Sequence, residues 1–132
     1  MIVVLDASAA IEIALNKGNG DNFRNLLKSS DLVIAPDTFP SEITNVFWKY
    51  ANYSDLPADK CSNGIDYCLD LIDDYIETKN LCREVLSESI IRKHPAYDLF
   101  YLVVARRHNA AILSNDKKMK YIATELKIKI IG

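Results

Sequence analysis

Ile2-Val3-Val4-Leu5-Asp6-Ala7-Ser8-Ala9-Ala10 places four apolar residues in a row, then a carboxylate, then a stretch that favours helix. The apolar run is too short for a helix and does not alternate with polar residues, which is the pattern of a strand buried on both faces. Leu32-Val33-Ile34-Ala35, closed by Pro36, repeats that pattern, as do Ala111-Ile112-Leu113 and Ile128 to Ile131. Helical segments separate these runs. Tyr97 to His108 is the most apolar of them, with Leu99, Phe100, Leu102, Val103, Val104 and Ala105 nearly all round, so it belongs deep in the core. Short unalternated strands joined through helices predict a central, mostly parallel sheet in a three-layer α/β/α domain.

The other helices follow from their caps and breaks. Ala7 to Leu15 runs into the break Lys17-Gly18-Asn19-Gly20, and Asp21 caps a helix holding Phe23, Leu26 and Leu27. Asp37 is the expected N-cap of a helix that carries Pro40 in its first turn and Ile43, Val46, Phe47 and Tyr50 on one face. After Pro57 the spacing of Ile65, Leu69, Ile72 and Ile76 predicts one long helix. Val85 to Lys93 is a helix ended by His94-Pro95, and Lys117 to Leu126 another.

With 132 residues, 49% of them apolar and 26% charged, the chain predicts one globular domain spanning residues 1–132 with a core of its own. No run of eighteen apolar residues predicts a membrane span, and the N-terminal stretch lacks the pattern of a secretory signal. Cys61, Cys68 and Cys82 form no metal-binding spacing. They read as small apolar side chains in a reducing, cytoplasmic protein. The net charge of −2 conceals an asymmetry, −8 over residues 1–91 against +6 over residues 92–132. A basic third can face a polyanion, but it is equally the mark of a solvated surface.

Four carboxylates fall where a parallel sheet gathers chemistry, outside the carboxyl ends of its strands. Asp6 follows the first strand, and Asp116 comes three residues after Leu113. Glu42 and Asp98 sit in early turns of their helices. Each has a structural alternative, since Asp6 and Asp116 suit helix N-caps and Glu42 and Asp98 complement helix dipoles. Together they point to a cleft. Converging carboxylates repel unless a cation sits among them, and an oxygen-only donor set suits Mg²⁺ or Mn²⁺ rather than zinc.

On these residues the chain resembles the PIN-domain nucleases. Val4-Leu5-Asp6-Ala7-Ser8-Ala9 looks like their opening D-x-S-A, and Ala35-Pro36 through Ser41-Glu42-Ile43-Thr44-Asn45-Val46 like their strand–proline–helix unit. Tyr97-Asp98-Leu99-Phe100-Tyr101-Leu102-Val103-Val104-Ala105 resembles their Y-D-x-x-Y-L-x-x-A helix, and Leu113-Ser114-Asn115-Asp116-Lys117-Lys118-Met119 their S-x-D turn. Within the family the likeness is closest to VapC-type toxins. The resemblance implies metal-binding and catalytic roles for Asp6, Glu42, Asp98 and Asp116, supported by Ser8 and Ser114. It also implies one or two Mg²⁺ or Mn²⁺ ions, an RNA substrate, a cognate antitoxin partner and a homodimer. Some members carry a further acidic residue where this chain has Lys118.

The expected activity is therefore metal-dependent hydrolysis of RNA phosphodiester bonds by the toxin of a type II toxin–antitoxin pair. Two carboxylate-rich alternatives stand beside it: a PIN-domain protein of RNA processing, and a non-enzymatic RNA-binding or interaction module whose acids are caps. A phosphatase with an aspartate nucleophile is disfavoured, because that chemistry wants a second acid where Ser8 stands. Lys117 and Lys118, beside the fourth carboxylate, are the candidate phosphate contacts, with Arg92, Lys93, Arg106, Arg107 and Lys120 as further cations. Tyr97 and Tyr101, one turn apart, are expected to pack beside the buried helix rather than to stack bases. His94 and His108 are expected to end helices.

Overall fold

A computed structural model describes residues 1–132. Five strands, β1 (Ile2–Leu5), β2 (Leu32–Pro36), β3 (Asp74–Ile76), β4 (Ala111–Leu113) and β5 (Ile130–Ile131), form one sheet in the order β3-β2-β1-β4-β5, with every pairing parallel. Seven helices cover it: α1 (Ala7–Ala14), α2 (Gly20–Lys28), α3 (Phe39–Tyr53), α4 (Ala58–Asp70), α5 (Cys82–Arg92), α6 (Ala96–Arg107) and α7 (Lys117–Glu125). This is the three-layer α/β/α architecture expected from the unalternated strands. None of the helices is long and apolar enough to cross a membrane.

The sheet is central because its strands cannot face water. Val3, Val4, Leu5, Ile34, Ala35, Ile112 and Leu113 are buried. One group of helices joins α1 to α2, α3 and α4, while α5 pairs with α6, and α6 lies against β1, β2 and β4. Leu99 and Tyr101 to Ala105 are buried along α6. Each large apolar side chain buried there is worth about 1.5–3 kcal/mol, which makes this helix an anchor for the residues in its first turn. The α5–α6 turn is short: Lys93 adopts a left-handed φ of 54° at the end of α5, and Pro95 in extended conformation begins α6.

The region after Pro57 differs from expectation. The predicted long helix stops at Asp70, and residues 74–76 are instead an edge strand beside β2. Spacing alone fits a helix through Ile76, but tertiary hydrogen bonds decide otherwise. The Asp73 carboxylate accepts the Val33 N–H at 2.8 Å, and the Asp73 N–H donates to the Val33 carbonyl at 2.8 Å, which turns the chain onto the sheet edge. Other boundaries shift by a few residues. Asn19 rather than Asp21 precedes α2, Thr38 rather than Asp37 precedes α3, and the last strand begins at Ile130 rather than Ile128. Asp37 is drawn away from capping because it accepts hydrogen bonds from the Thr78 hydroxyl at 2.6 Å and the Thr78 N–H at 3.3 Å. Cys61 and Cys68 are buried as expected, whereas Cys82 is exposed at the start of α5.

Candidate active site

The sheet order places β1 between β2 and β4, so the chain leaves β1 at a switch point where a crevice opens beyond the strand ends. Asp6 sits there. Its N–H donates to the Leu113 carbonyl at 3.2 Å, which ties it to the end of β4. It is 3% exposed and caps α1: Oδ1 accepts the Ala9 N–H at 3.0 Å and the Ser8 hydroxyl at 2.8 Å, while Oδ2 accepts the Ser114 hydroxyl. Burial pushes the Asp6 carboxyl up to about 6, the three hydrogen bonds resist that shift, and the charge of Asp98 adds to it.

Glu42, in the first turn of α3, faces the same place. The hydroxyl of Tyr101, a buried residue of α6, donates to Glu42 Oε2 at 3.1 Å. Oε1 is buried with no partner in the chain, and so is the Thr38 hydroxyl; the two lie near one another without completing a hydrogen bond. Removal from water pushes Glu42 up to about 7. The Tyr101 bond and, more weakly, the neighbouring Thr38 hydroxyl oppose this, and the charges of Asp98 and Asp6 reinforce it. Tyr101 is held strongly protonated by burial and by the same carboxylates, so it stays a donor.

Asp98, in the first turn of α6, therefore feels both Asp6 and Glu42 across the crevice. Its Oδ2 is 2.7 Å from His94 Nε2, so His94 does more than follow the end of α5: it steadies this carboxylate. His108 behaves as expected, with Nδ1 2.9 Å from the Val104 carbonyl at the end of α6. Asp116 caps α7 through Oδ1, which accepts the Lys118 and Met119 N–H groups at 2.9 and 3.4 Å. It joins the other acids through Ser114, whose buried hydroxyl accepts the Asp116 N–H at 2.9 Å and donates to Asp6. Ser8 completes the brace by accepting the Asn115 N–H at 2.9 Å.

Capping is thus real for Asp6 and Asp116, but it does not account for the set. Glu42 caps nothing, and its orphaned oxygen lies in a buried, negatively charged setting where an unmade bond costs about 1–3 kcal/mol or more. The donors are oxygens, the chemistry a hard divalent cation takes. The side chains do not close into a ready-made cage, since no three acidic, histidine or cysteine groups stand together at coordinating range. Mg²⁺ suits such an open arrangement, because it keeps several waters and needs only one or two direct carboxylates.

The cations divide sharply. Arg106 and Arg107 pair with Glu84 at 2.8 and 2.6 Å, and Arg106 also with Glu88, which commits them to holding α5 against α6. Arg92 bridges Glu88 and Glu125. Lys117 and Lys118 are exposed at the start of α7, in a cleft shared with Arg92, His94 and Tyr121. Tyr101 is packed as expected. Tyr97 is not: it stands 72% exposed. The alternation of one inward and one outward tyrosine one turn apart shows only once α6 is seated.

The PIN-domain sequence pattern matches residues 3–125, nearly the whole chain. This chain belongs to the PIN-domain family. Members of that family are generally nucleases. Among solved structures, PAE2754 from Pyrobaculum aerophilum has a TM-score of 0.77 at 21% identity, with the match covering 98% of this chain and 83% of that one. VapBC2 from Rickettsia felis, solved bound to a DNA fragment from its promoter, has a TM-score of 0.68 at 16% identity, covering 99% of this PIN domain and 98% of that chain. At such identities the likeness shows the fold. No curated protein matches the sequence.

Proposed function

We propose that this PIN domain, residues 1–132, is an Mg²⁺- or Mn²⁺-dependent endoribonuclease and the toxin of a type II toxin–antitoxin pair, acting in the cytoplasm on single-stranded or looped RNA. The observation that carries the nuclease reading is buried Asp6 beside half-buried Glu42, both carboxyls held above the ordinary carboxylate range, with the buried Oε1 of Glu42 left without a hydrogen bond in the chain. Structural likeness to VapBC2 supports the toxin reading.

Asp6 and Asp98 would hold the metal directly, and Glu42 and Asp116 directly or through water. When bound, Mg²⁺ or Mn²⁺ supplies an activated water and stabilises charge on the phosphoryl group. The protein does the positioning. Ser8 and Ser114 lock the Asp6 carboxylate between the ends of β1 and β4, Tyr101 fixes one oxygen of Glu42, and His94 fixes one of Asp98. The strand-end crevice lets a flexible phosphodiester approach, and Lys117 and Lys118 attract its backbone from the α7 side. A homodimer belongs to the same reading. Leu86, Ile90 and Ile91, exposed along α5, offer an apolar face that a second copy would cover.

The test is cleavage of an unstructured RNA pool with Mg²⁺ or Mn²⁺, alongside EDTA and Asp98→Asn controls and a single-stranded DNA of the same sequence. Cleavage of RNA by the parent alone, and only with metal, is expected. Metal should also raise the melting temperature of the parent more than that of the variant. Activity that survives EDTA, or equal activity in Asp98→Asn, would refute the metal assignment; preference for DNA would refute the substrate. Co-purification with the product of an adjacent small open reading frame, and loss of cleavage in that complex, test the antitoxin.

A further inference from the structure

The carboxylate crevice continues into a cleft of about 390 Å³ between the start of α3 and the start of α6, lined by Ala7, Ser41, Glu42, Asn45, Val46 and Tyr97. Three features define what fits it. First, Glu42 lines both the cleft and the acidic site, so an occupant of the cleft is covalently or spatially next to the reacting group. Second, Tyr97 precedes Asp98 on the most deeply buried helix of the protein and yet is 72% exposed, which leaves a rigid aromatic ring as one wall. A tyrosine held in water on an otherwise buried helix adds nothing to the core; its ring is available to a partner. Third, Asn45 and Ser41 are exposed on the α3 side, and an amide combines donors and an acceptor in the geometry that matches the edge of a base. A volume of this order accommodates one nucleoside rather than a peptide helix.

Resting on the ribonuclease reading above, we propose that this cleft is a nucleobase subsite, in which Tyr97 stacks against one unpaired base beside the scissile phosphate and Asn45, with Ser41, contacts its edge. The cleft runs on along α3 into a shallow groove lined by Pro40, Ser41, Thr44, Asn45 and Trp48, where Trp48 is 53% exposed and sits against Tyr53 with ring centroids 5.8 Å apart. Trp48 is the second stacking platform on the same path. Bases in a duplex are stacked and paired with their edges turned inward, so only an unpaired strand presents a base to Tyr97 while its phosphate reaches Asp98. The subsite therefore selects single strands, and Asn45 sets which base is tolerated next to the cut.

Tyr97→Ala should lower kcat/KM on an unstructured twelve-nucleotide RNA by about 5- to 150-fold, the range for loss of one base–aromatic stack, while Tyr97→Phe stays within about twofold. Tyr97→Leu, which keeps apolar bulk without the ring, should resemble Tyr97→Ala. Asn45→Ala should change the distribution of bases beside the cut. Replacing the base next to the cut by an abasic residue should slow the parent at least as much as Tyr97→Ala does, because it removes the stack together with the edge contacts, and on that abasic substrate Tyr97→Ala should cost little more. A second readout is independent of cleavage. Trp48 is the only tryptophan, so its fluorescence on Asp98→Asn protein reports binding of the same oligonucleotide, with weaker binding when Tyr97→Ala is added.

Unchanged kcat/KM and unchanged base preference in Tyr97→Ala, or abasic and Tyr97→Ala effects that multiply, would overturn the subsite while leaving the nuclease standing. A parent that cleaves no RNA would end the nuclease reading instead. The fluorescence titration then decides the subsite alone: Tyr97-dependent quenching supports it, and no quenching, or quenching indifferent to Tyr97, overturns it.

Discussion

Asp6→Asn should make the protein more stable at neutral pH in EDTA, although it removes a carboxylate from the candidate site. Asp6 is buried, and its carboxyl is raised from 3.8 to about 6, chiefly because the fold takes it out of water. An acid with a raised folded-state value favours the fold when protonated. That contribution is complete below about pH 4 and is lost as pH rises through about 6, so by pH 8 the parent has lost about 3 kcal/mol relative to acid conditions. Asparagine carries no charge at any pH. Its Oδ1 can still accept the Ala9 N–H and the Ser8 hydroxyl, and only the Ser114 hydroxyl loses its acceptor, at a cost of about 1 kcal/mol. The variant should therefore be less stable than the parent by about 1 kcal/mol at pH 4 and more stable by about 2 kcal/mol at pH 8. The latter corresponds to a rise of roughly 6–10 °C in Tm for a chain of this size. Urea unfolding in EDTA at one-unit steps from pH 4 to pH 8 measures the difference directly. A gap that does not change with pH, or a variant less stable at pH 8, would refute the electrostatic account of Asp6. Saturating Mg²⁺ should narrow the gap at pH 8 by stabilising the parent alone.

Ser114→Ala removes the donor to Asp6 and the acceptor for the Asp116 N–H, so cleavage should fall about 10- to 100-fold while the far-UV spectrum is kept. Because Glu42 holds its proton up to about pH 7 and a metal must displace it, the Mg²⁺ concentration for half-maximal stabilisation should climb as pH drops through 7; a pH-independent midpoint would count against Glu42 as a ligand. Lys117→Ala with Lys118→Ala should weaken RNA binding and flatten the logarithmic salt slope by about 0.7 for each phosphate no longer neutralised, measured by anisotropy between about 50 and 200 mM salt. Gly64→Ala would place a Cβ 2.4 Å from the buried Phe47 ring where α4 crosses α3, and thermal melting should show a loss of about 1–3 kcal/mol.

Much of this molecule is written locally. Ile2 to Leu5, Leu32 to Pro36 and Ala111 to Leu113 are short, apolar and unalternated, and such runs have few stable solutions besides the middle of a parallel sheet. The candidate acids were legible for the same reason, because their places at strand ends and first helical turns are set by neighbours in sequence. The edge strand β3 was not legible. Ile65, Leu69, Ile72 and Ile76 keep helical spacing, and only the bonds between Asp73 and Val33, 40 residues apart, end the helix early.

The sequence alone therefore carried the class of fold, the family resemblance and the positions of the four candidate acids at strand ends and first helical turns, since each depends on periodicity, caps and short motifs that act over a few residues. Tertiary structure alone decided the environments. It buried Asp6, left Glu42 Oε1 without a partner, tied Asp6 to Asp116 through Ser114, turned Tyr101 inward and left Tyr97 facing the cleft. Those properties depend on which surfaces meet when helices seat on the sheet. Desolvation and packing are sums over neighbours from the whole chain, and no local pattern contains them.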